Sequence, residues 1–292
     1  MAVTFADRAI SNISHMKHFL ISILIVCSTC TASAQFYYND VLLTRKSERQ
    51  IAQYKQLGIK SVMLRSIESN NPADENFRVE QTFNNNYSEA ITISTSSISG
   101  PSELISRYNE NGKLISSSDT SDGFRSTTMY SYTPGNRIDS IKNTAYSPGG
   151  VIDEEVHQWI YNEEGAPVKL YKIKNNTDTT VVEFILDEEG RIGEEKAIRN
   201  GRQLPVIYYY YDSEDRLTDI VRYNEKARRL LPDLIFEYDN NNRMKSMMVI
   251  PEGSDDYQLW VYSYDDQGLK TRETCFNKDK RQLGYVQYEY KR

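Results

Sequence analysis

The pattern of hydrophobic and polar positions repeats along most of the chain. A large residue, which we call the anchor, recurs at Tyr108, Tyr132, Tyr161, Leu186, Tyr211, Tyr238, Tyr264 and Tyr290. Successive anchors are 24, 29, 25, 25, 27, 26 and 26 residues apart, which indicates one supersecondary unit per copy. Two residues before every anchor but the first stands an aromatic residue: Tyr130, Trp159, Phe184, Tyr209, Phe236, Tyr262 and Tyr288. Because residues two apart share a face of a strand, each copy predicts a strand with paired large side chains on one side.

The residues after each anchor predict a tight turn. The next position carries a short polar side chain that can hydrogen-bond nearby backbone, as at Asn109, Thr133, Asn162, Asp187, Asp212, Asp239 and Asp265. Four residues after the anchor come types that tolerate a left-handed backbone: Gly112, Asn136, Gly165, Gly190, Asp215, Asn242 and Gly268. An aliphatic strand follows, as at Leu217 and Ile220. Their spacing of three would switch faces in a regular strand, which leaves open a bulge or a strand covered on both sides.

Each copy is therefore a predicted β-hairpin, and successive hairpins form an antiparallel meander over residues 80–292. Phe83, 25 residues before Tyr108, is a candidate for a degenerate first copy. Eight copies imply about sixteen strands, and so large a sheet rarely stays flat. Such a meander should coil, curve strongly or close on itself. We expect a mainly β fold with a large curved or coiled sheet and one N-terminal amphipathic helix.

The segment 35–79 has a different period. Asn39 or Asp40 is a candidate N-cap, Gly58 a candidate helix stop, and apolar positions such as Leu43, Tyr54 and Leu57 share one helical stripe. One helix followed by strands from about residue 59 is the simplest interpretation. We expect this helix to cover the open end or concave face of the sheet, because an exposed first strand would invite pairing with other chains.

The beginning of the chain resembles an export signal. From Met16 it reads MKHFLISILIVCSTCTASAQ, with a basic Lys17, a short apolar core and small residues before Gln35. This pattern predicts a signal peptide within residues 1–34, cut after Ala34, and Met16 as the true start. The apolar run is too short to span a bilayer. Lipidation of Cys27 or Cys30 is an alternative, although neither follows the usual small-residue pair.

Composition narrows the chemistry. After cleavage only Cys275 and His157 remain of their kinds, so we expect no disulfide, no zinc site and no catalytic residue; His157 is predicted to be an ordinary strand histidine. No cofactor motif is present. The formal net charge of −6 gives no broad attraction to nucleic acid or anionic lipid, and neither is an expected partner. Acidic clusters such as Asp153 to Glu155 and Asp187 to Glu189 are interpreted as solvated turn charge rather than calcium sites.

The frame Tyr-Asp-x-x-Gly-Arg-Leu-x-x-Ile resembles the YD repeat of RHS proteins. The match is fullest from Tyr211 to Ile220 and partial from Leu186 to Ile192 and from Tyr238 to Met244. The resemblance implies repeats that build a spiralling β-sheet. It points to the short exported type common in Bacteroidetes-type bacteria, since we expect too few repeats to enclose a cargo and no toxin module at the C-terminus.

Three functions remain open from the sequence. The first is an exported, non-enzymatic module that binds a protein or glycan at the cell envelope, whether periplasmic, outer-membrane associated or extracellular. Its candidate contact residues are Trp159, Tyr208, Tyr210 and Trp260. The second is a purely structural envelope or adhesin component. The third is a carbohydrate-active enzyme with carboxylates on a concave face. Tyr209 and Tyr211 belong to the repeat itself, whereas Tyr208 and Tyr210 point to the opposite face.

Overall fold

The computed structural model describes residues 36–69, 77–96, 100–224, 227–251, 254 and 256–292. The predicted signal peptide and both lipidation candidates lie outside these ranges. The elements are α1 (Asn39–Leu57), β1 (Ser61–Glu68), β2 (Phe77–Phe83), β3 (Glu89–Ser96), β4 (Ser102–Tyr108), β5 (Leu114–Ser121), β6 (Phe124–Tyr132), β7 (Ile138–Ser147), β8 (Gly150–Tyr161), β9 (Pro167–Lys174), β10 (Asp178–Leu186), β11 (Ile192–Arg199), β12 (Arg202–Gln203), β13 (Ile207–Tyr211), β14 (Leu217–Asn224), β15 (Arg229–Tyr238), β16 (Met244–Val249), β17 (Gln258–Tyr264), β18 (Lys270–Asn277) and β19 (Gln282–Lys291).

The sheet closes into a barrel. Strands β2 to β19 pair antiparallel in sequence order, and β1 pairs with both β2 and β19. Strands β12 and β13 both pair with β11 and act as one interrupted strand. The described part of the chain therefore forms an 18-stranded closed antiparallel barrel with one helix. The strand content and the helix agree with the sequence prediction. The predicted large curved or coiled sheet is wrong because the sheet closes into a barrel, and the spiral implied by the YD-repeat resemblance is wrong for the same reason. The pairing of β1 with β19 leaves neither strand with a free edge.

The closing pair is itself a repeat assembled from the two ends of the described fold. Strand β19 carries the last anchor, Tyr290, and would be the incoming strand of a ninth hairpin. Its outgoing partner is β1, which pairs with it over eight positions from Ser61↔Lys291 to Glu68↔Gly284. Before β1 the chain reads Gly58-Ile59-Lys60, the counterpart of Gly268-Leu269-Lys270 in the preceding copy. Gly58 has a positive φ of 68° and Gly268 one of 77°, so both adopt the left-handed turn conformation.

The repeat positions behave as the pattern predicts. All seven residues four positions after an anchor have positive φ, from 58° to 86°. The amide of each of these residues donates to the carbonyl of the residue after the anchor, for example Gly190 to Asp187 at 3.1 Å. The anchors and the aromatics two before them face the interior. The turns that follow the anchors lie at one end of the barrel, which we call the anchor end; the alternate connections lie at the other, the tip end.

A β-bulge resolves the spacing of three in the outgoing strands. In seven hairpins the register shifts next to the anchor, as between Tyr210 and Tyr211, where Tyr210 pairs with Asp219 and Tyr211 with Leu217. One outgoing residue in each is left without a cross-strand partner: Ile115, Asp139, Val168, Gly193, Thr218, Lys245 and Thr271. Of the two explanations left open by the sequence, the bulge is correct.

The anchor tyrosines fasten neighbouring hairpins together. Each of six hydroxyl groups donates to the carbonyl that opens the outgoing strand of the preceding hairpin. The pairs are Tyr132 to Leu114 (2.7 Å), Tyr161 to Ile138 (2.7 Å), Tyr211 to Ile192 (3.0 Å), Tyr238 to Leu217 (2.8 Å), Tyr264 to Met244 (2.8 Å) and Tyr290 to Lys270 (2.7 Å). These bonds explain why tyrosine rather than phenylalanine dominates the anchor position.

In the turns that carry both an aspartate and an arginine, these two residues complete the link. Asp212 accepts hydrogen bonds from the amides of Glu214 and Arg216 and forms an ion pair with the Arg216 side chain at 2.7 Å. The Arg216 guanidinium lies 4.9 Å from the centroid of the next anchor ring, Tyr238. In the same way, Arg191 lies over the ring of Tyr211, and Arg243 lies over the ring of Tyr264. The Asp and Arg of the frame therefore order the turn and contact the next repeat.

One link in the ring lacks both partners. The turn after Tyr161 carries Ala166 where five other copies carry Lys113, Arg137, Arg191, Arg216 or Arg243, and the next anchor is Leu186 instead of a tyrosine. A cation at position 166 would find no aromatic ring at position 186. The turn after Tyr264 also lacks the cation, at Leu269, but its next anchor is the tyrosine Tyr290, so among these copies only the junction between Tyr161 and Leu186 lacks both partners.

Helix α1 lies across the anchor end. Ser47 hydrogen-bonds the Tyr108 hydroxyl at 2.9 Å and Glu48 pairs with Lys113 at 2.8 Å, while Gln53 donates to the carbonyl of Gly268 on a distant hairpin at 3.2 Å. The prediction that the helix covers an end of the sheet agrees with these contacts, as does the stop at Gly58. The helix is not needed to cover an exposed first strand, as the prediction assumed, because β1 is paired on both sides and presents no edge.

Restoring the missing link tests the repeat rule. We expect the pair Ala166→Arg and Leu186→Tyr to stabilise the barrel by about 0.5–1 kcal/mol more than the sum of the single variants, as a cation–π pair does at a partly exposed site. Urea unfolding of the four proteins gives this coupling. The cycle Arg216→Ala with Tyr238→Leu, which removes an existing link, serves as the control and should give a coupling of similar size. Additive single effects in both cycles would refute the rule.

Removing the closing strand tests the split repeat. Deletion of residues 282–292 leaves β1 and β18 each with an unpaired edge, so we expect a protein that aggregates or forms oligomers through those edges. Size-exclusion chromatography measures the outcome. Removal of Arg292 alone, which lies beyond β19, should leave a monomer. A monomeric deletion variant with native near-UV circular dichroism would show that closure does not depend on β19.

Candidate binding groove at the bulge of strand β11

A groove forms where the bulge residue is a glycine. Strands β11 and β13 pair only at Glu194↔Tyr208 and Glu195↔Ile207, so toward the anchor end a notch separates the two hairpins. At the other six bulges a side chain is available to occupy the equivalent notch. Gly193 has none, and a groove of about 390 Å³ remains. A Cβ atom placed on Gly193 would meet its nearest neighbour, the Cβ of Asp187, at an ordinary 3.6 Å, so the position does not require glycine for steric reasons.

Aromatic and aliphatic side chains line one part of this groove. Tyr208 and Tyr210 project from β13 on the face opposite the interior, and Ile185 projects from β10. Tyr210 is 46% exposed and Ile185 is 41% exposed, which is high for residues of their size. The backbone of Tyr210 is held by pairing with Asp219 and by a hydrogen bond from the Thr218 hydroxyl at 3.2 Å. The exposed ring therefore stands on a fixed strand.

Charged side chains line the remainder, and most are acidic. Arg191 donates to Asp187 at 2.8 Å, to Glu189 at 3.0 Å and to Asp215 of the next turn at 2.7 Å. Although burial opposes it, this contact holds the pKa of Asp187 below its usual value. Glu188 and Glu194 also line the groove. Since the single cation is already engaged by three carboxylates, the groove presents a net negative charge.

The four predicted contact residues fall into two environments. Tyr208 and Tyr210 line the groove. Trp159 and Trp260 lie in the interior, only 2% and 1% exposed, and Trp159 stacks on Phe184 with ring centroids 5.3 Å apart. The pattern already contained this division: Trp159 and Trp260 lie an even number of residues before the anchors Tyr161 and Tyr264, and so share their inward face.

A buried polar network joins the start of α1 to the barrel wall. His157, 6% exposed, lies between two carboxylates, with Nδ1 at 2.5 Å from Asp40 and Nε2 at 3.0 Å from Glu155. Lys172 pairs with Glu155 at 2.9 Å. Burial favours the neutral ring, but the two carboxylates outweigh it and raise the pKa of His157 to about 9. His157 is a strand residue as predicted, and its role here is to hold the helix.

Glu195 caps the helix from across the barrel. Its carboxylate accepts hydrogen bonds from the amides of Tyr37 at 3.1 Å and Tyr38 at 3.0 Å and from the Tyr209 hydroxyl at 2.7 Å. These amides precede the first residue of α1. The N-cap is Tyr38, which makes no side-chain cap bond, so the predicted N-cap at Asn39 or Asp40 is wrong by one or two residues. The side chain is 2% exposed, and burial raises its pKa to about 7.

The sequence pattern did not reveal the roles of Gly193 and Glu195, because both depend on the β-bulge at Gly193. Without the bulge, Glu194 and Glu195 read as two consecutive exposed glutamates. The bulge at Gly193 shifts the phase, so that Ile192, Glu195 and Ala197 face inward. A glycine that replaces the usual side chain one residue into an outgoing strand was the available signal. Within the described ranges no group of three or more His, Cys, Asp and Glu side chains is arranged to hold a metal ion.

Comparisons with known proteins give no family. No protein-family model matches the chain, and no curated protein matches it. The interpretation as a YD-repeat, RHS-like protein is therefore corrected: no family match supports it, and the sheet closes where that family's implied sheet would spiral.

Solved structures show only distant likeness. A complex described as TcdB2-TccC3-Cdc42 matches with 13% identity and a TM-score of 0.33, over 72% of this chain and 11% of that chain. A porin-like protein from Bacteroides uniformis matches with 10% identity and a TM-score of 0.38, over 80% of this chain and 98% of that chain. A putative 6-phosphogluconolactonase from Bacteroides fragilis has 10% identity and a TM-score of 0.20 over the same shares. The chain spans about a tenth of the first of these proteins, and such low scores assign no function.

The buried network predicts a stability that falls as pH rises. A group whose pKa is higher in the folded protein stabilises the fold fully below its unfolded value and loses that contribution as pH passes the folded value. For Glu195 this window runs from 4.5 to about 7, and for His157 from 6.5 to about 9. We expect the free energy of unfolding to fall by a total on the order of 3–6 kcal/mol between pH 4.5 and 9.

Urea unfolding at several pH values measures this slope. Glu195→Gln should remove the part between pH 4.5 and 7, and His157→Gln the part between 6.5 and 9. Glu194→Gln, which alters the adjacent outward carboxylate, is the matched control. A slope that survives both interior substitutions would refute the assignment.

Proposed function

We propose that the protein is an exported, non-enzymatic barrel that binds a neutral or amino-sugar glycan in the groove at Gly193. The observation that carries this proposal is the pair Tyr208 and Tyr210 beside a notch that glycine leaves open. Aromatic rings on a rigid strand offer apolar faces at low entropic cost, and neighbouring carboxylates accept hydrogen bonds from sugar hydroxyl groups. A binding role at the cell envelope or outside the cell agrees with the predicted signal peptide.

The charge of the groove favours one class of glycan. Of the four carboxylates that line the groove, Asp187 and Glu189 pair with its one lining arginine, Arg191, which Asp215 also contacts; Glu188 and Glu194 add further negative charge. An acidic sugar would add like charge at short range, whereas a neutral sugar avoids this cost and an amino sugar gains an ion pair. We therefore expect discrimination against glycans rich in uronic acid or sulfate.

The outer wall supports a barrel surrounded by water. Three ion pairs join side chains that point outward from neighbouring strands: Arg107 with Glu89 at 3.0 Å, Lys142 with Glu154 at 2.8 Å and Lys169 with Glu183 at 3.4 Å. A fourth, Lys196 with Glu194 at 2.7 Å, lies along strand β11. Charges at the middle of a strand are costly against lipid, where a spanning barrel carries an apolar band. Among the described residues no helix is long and apolar enough to cross a membrane.

Filling the groove tests the proposal directly. Gly193→Thr introduces the residue that stands at the equivalent bulges Thr218 and Thr271, so the fold should tolerate it. We expect this variant to bind the glycan roughly tenfold more weakly or worse, and the double variant Tyr208→Ala with Tyr210→Ala to do the same. Aromatic contacts of this size contribute about 1–2 kcal/mol to binding. A glycan array finds the ligand and isothermal titration calorimetry measures the change.

The matched control is Tyr171→Ala, which removes an outward tyrosine on β9 that does not line the groove and should leave binding unchanged. Binding that is equal in the wild type and Gly193→Thr would place the ligand elsewhere. An array with no neutral or amino-sugar ligand, together with capture of a peptide that Gly193→Thr abolishes, would favour a protein ligand for the same groove.

A further inference from the structure

The tip end of the barrel carries the most exposed apolar side chains in the described ranges. Phe124 is 56% exposed at the β5–β6 connection, and Val151 and Ile152 are 61% and 57% exposed at the β7–β8 connection. These two hairpins are neighbours, because β6 pairs with β7. Strand β8 has 12 residues and is the longest in the barrel. A folded monomer gains nothing from displaying such side chains together at one rim.

A second apolar group lies farther around the same end. Tyr223 on β14 and Leu230 on β15 are paired across their hairpin and are 44% and 42% exposed. Ile198 lies on the adjoining hairpin, at the tip end of β11. Both groups are therefore at the same end of the barrel and on different sides of it.

Exposed arginines accompany the second group. Arg228 and Arg229 directly precede Leu230, and Arg202 opens β12 beside the turn at Gly201; all three are exposed. The β18–β19 connection, at the same end, adds exposed Lys278, Lys280 and Arg281. The β18–β19 connection also carries Asp279, and Asp122 and Asp153 stand beside the first apolar group in the chain. The basic side chains therefore form local clusters on the hairpins at Arg202, at Arg228 and at Lys278, and are not spread over the whole end.

We propose that the tip end docks on a membrane surface that carries anionic lipid headgroups. Apolar side chains on hairpin tips enter the headgroup region, and the arginines and lysines pair with the phosphates, the two contributions that bind interfacial proteins to membranes. The two apolar groups lie at one end of the barrel, on strands β5 to β8 and β11 to β15, and the exposed arginines beside the second group favour a lipid surface over an apolar protein surface. The groove at Gly193 lies toward the anchor end and stays accessible when the tip end is docked.

Vesicle co-sedimentation tests the docking with the full mature chain. We expect binding to vesicles of phosphatidylglycerol and phosphatidylcholine, weak binding to phosphatidylcholine alone, and a loss of binding as salt rises. Val151→Ser with Ile152→Ser, and separately Arg228→Glu with Arg229→Glu, should each weaken binding by roughly tenfold. Near-UV circular dichroism and the melting temperature establish that each variant is folded.

Matched variants away from the tip end complete the design. Ile93→Ser with Ile160→Ser removes two exposed aliphatic side chains from the wall, and Arg49→Glu with Lys55→Glu reverses two exposed charges on α1. Neither should change vesicle binding. The proposal fails if the wild type does not sediment with anionic vesicles, or if the tip and control variants bind alike. It also fails if polyphosphate binds as strongly and Val151→Ser with Ile152→Ser has no effect, since that result indicates a polyanion site without a membrane. Because Gly193→Thr leaves the tip end intact, vesicle binding and glycan binding can fail independently.

Discussion

The structure depends on the contact between each hairpin and the next. Within a hairpin the strands pair along their length, but near the anchor end the bulge separates the outgoing strand from its neighbour. The anchor tyrosine restores the connection, because its hydroxyl reaches the carbonyl that opens the preceding outgoing strand, as from Tyr238 to Leu217 at 2.8 Å. The basic residue of the turn lies over the same ring. A mainly local interaction, repeated around the wall, thus holds together a sheet too large to be stable as a flat layer.

Closure follows from the same interaction. The last anchor, Tyr290, bonds the Lys270 carbonyl as any other anchor would, and its strand then needs an outgoing partner. Strand β1 supplies that partner after a Gly-Ile-Lys turn that matches Gly268 to Lys270. The barrel therefore closes with a joint of the same kind as its other joints. The helix that precedes β1 is positioned by this joint at one end and by Glu195 and His157 at the other.

The sequence predicted the unit well and the assembly poorly. The turn chemistry at Gly190 or Asn242 and the inward pairs such as Tyr209 and Tyr211 depend on neighbours in the chain, so the spacing was sufficient. The partner of β19 lies more than 200 residues away in β1, outside the repeat region as the pattern defined it, and local spacing carries no such information. The buried role of Glu195 was hidden for a different reason, since only the bulge at Gly193 turns it inward.

The two candidate surfaces arise where the chain departs from its own repeat. At Gly193 the departure is the loss of a side chain, and it opens a groove in a wall that is elsewhere supplied with bulge side chains. At the tip end the departure is one of length, because the connections there are not constrained by the anchor turns and differ from one hairpin to the next. The anchor end must keep its polar residues to order the turns, so it has little freedom to vary. Because folding fixes only the anchor end of each repeat, the tip end and the groove left by the missing side chain at Gly193 are available for binding.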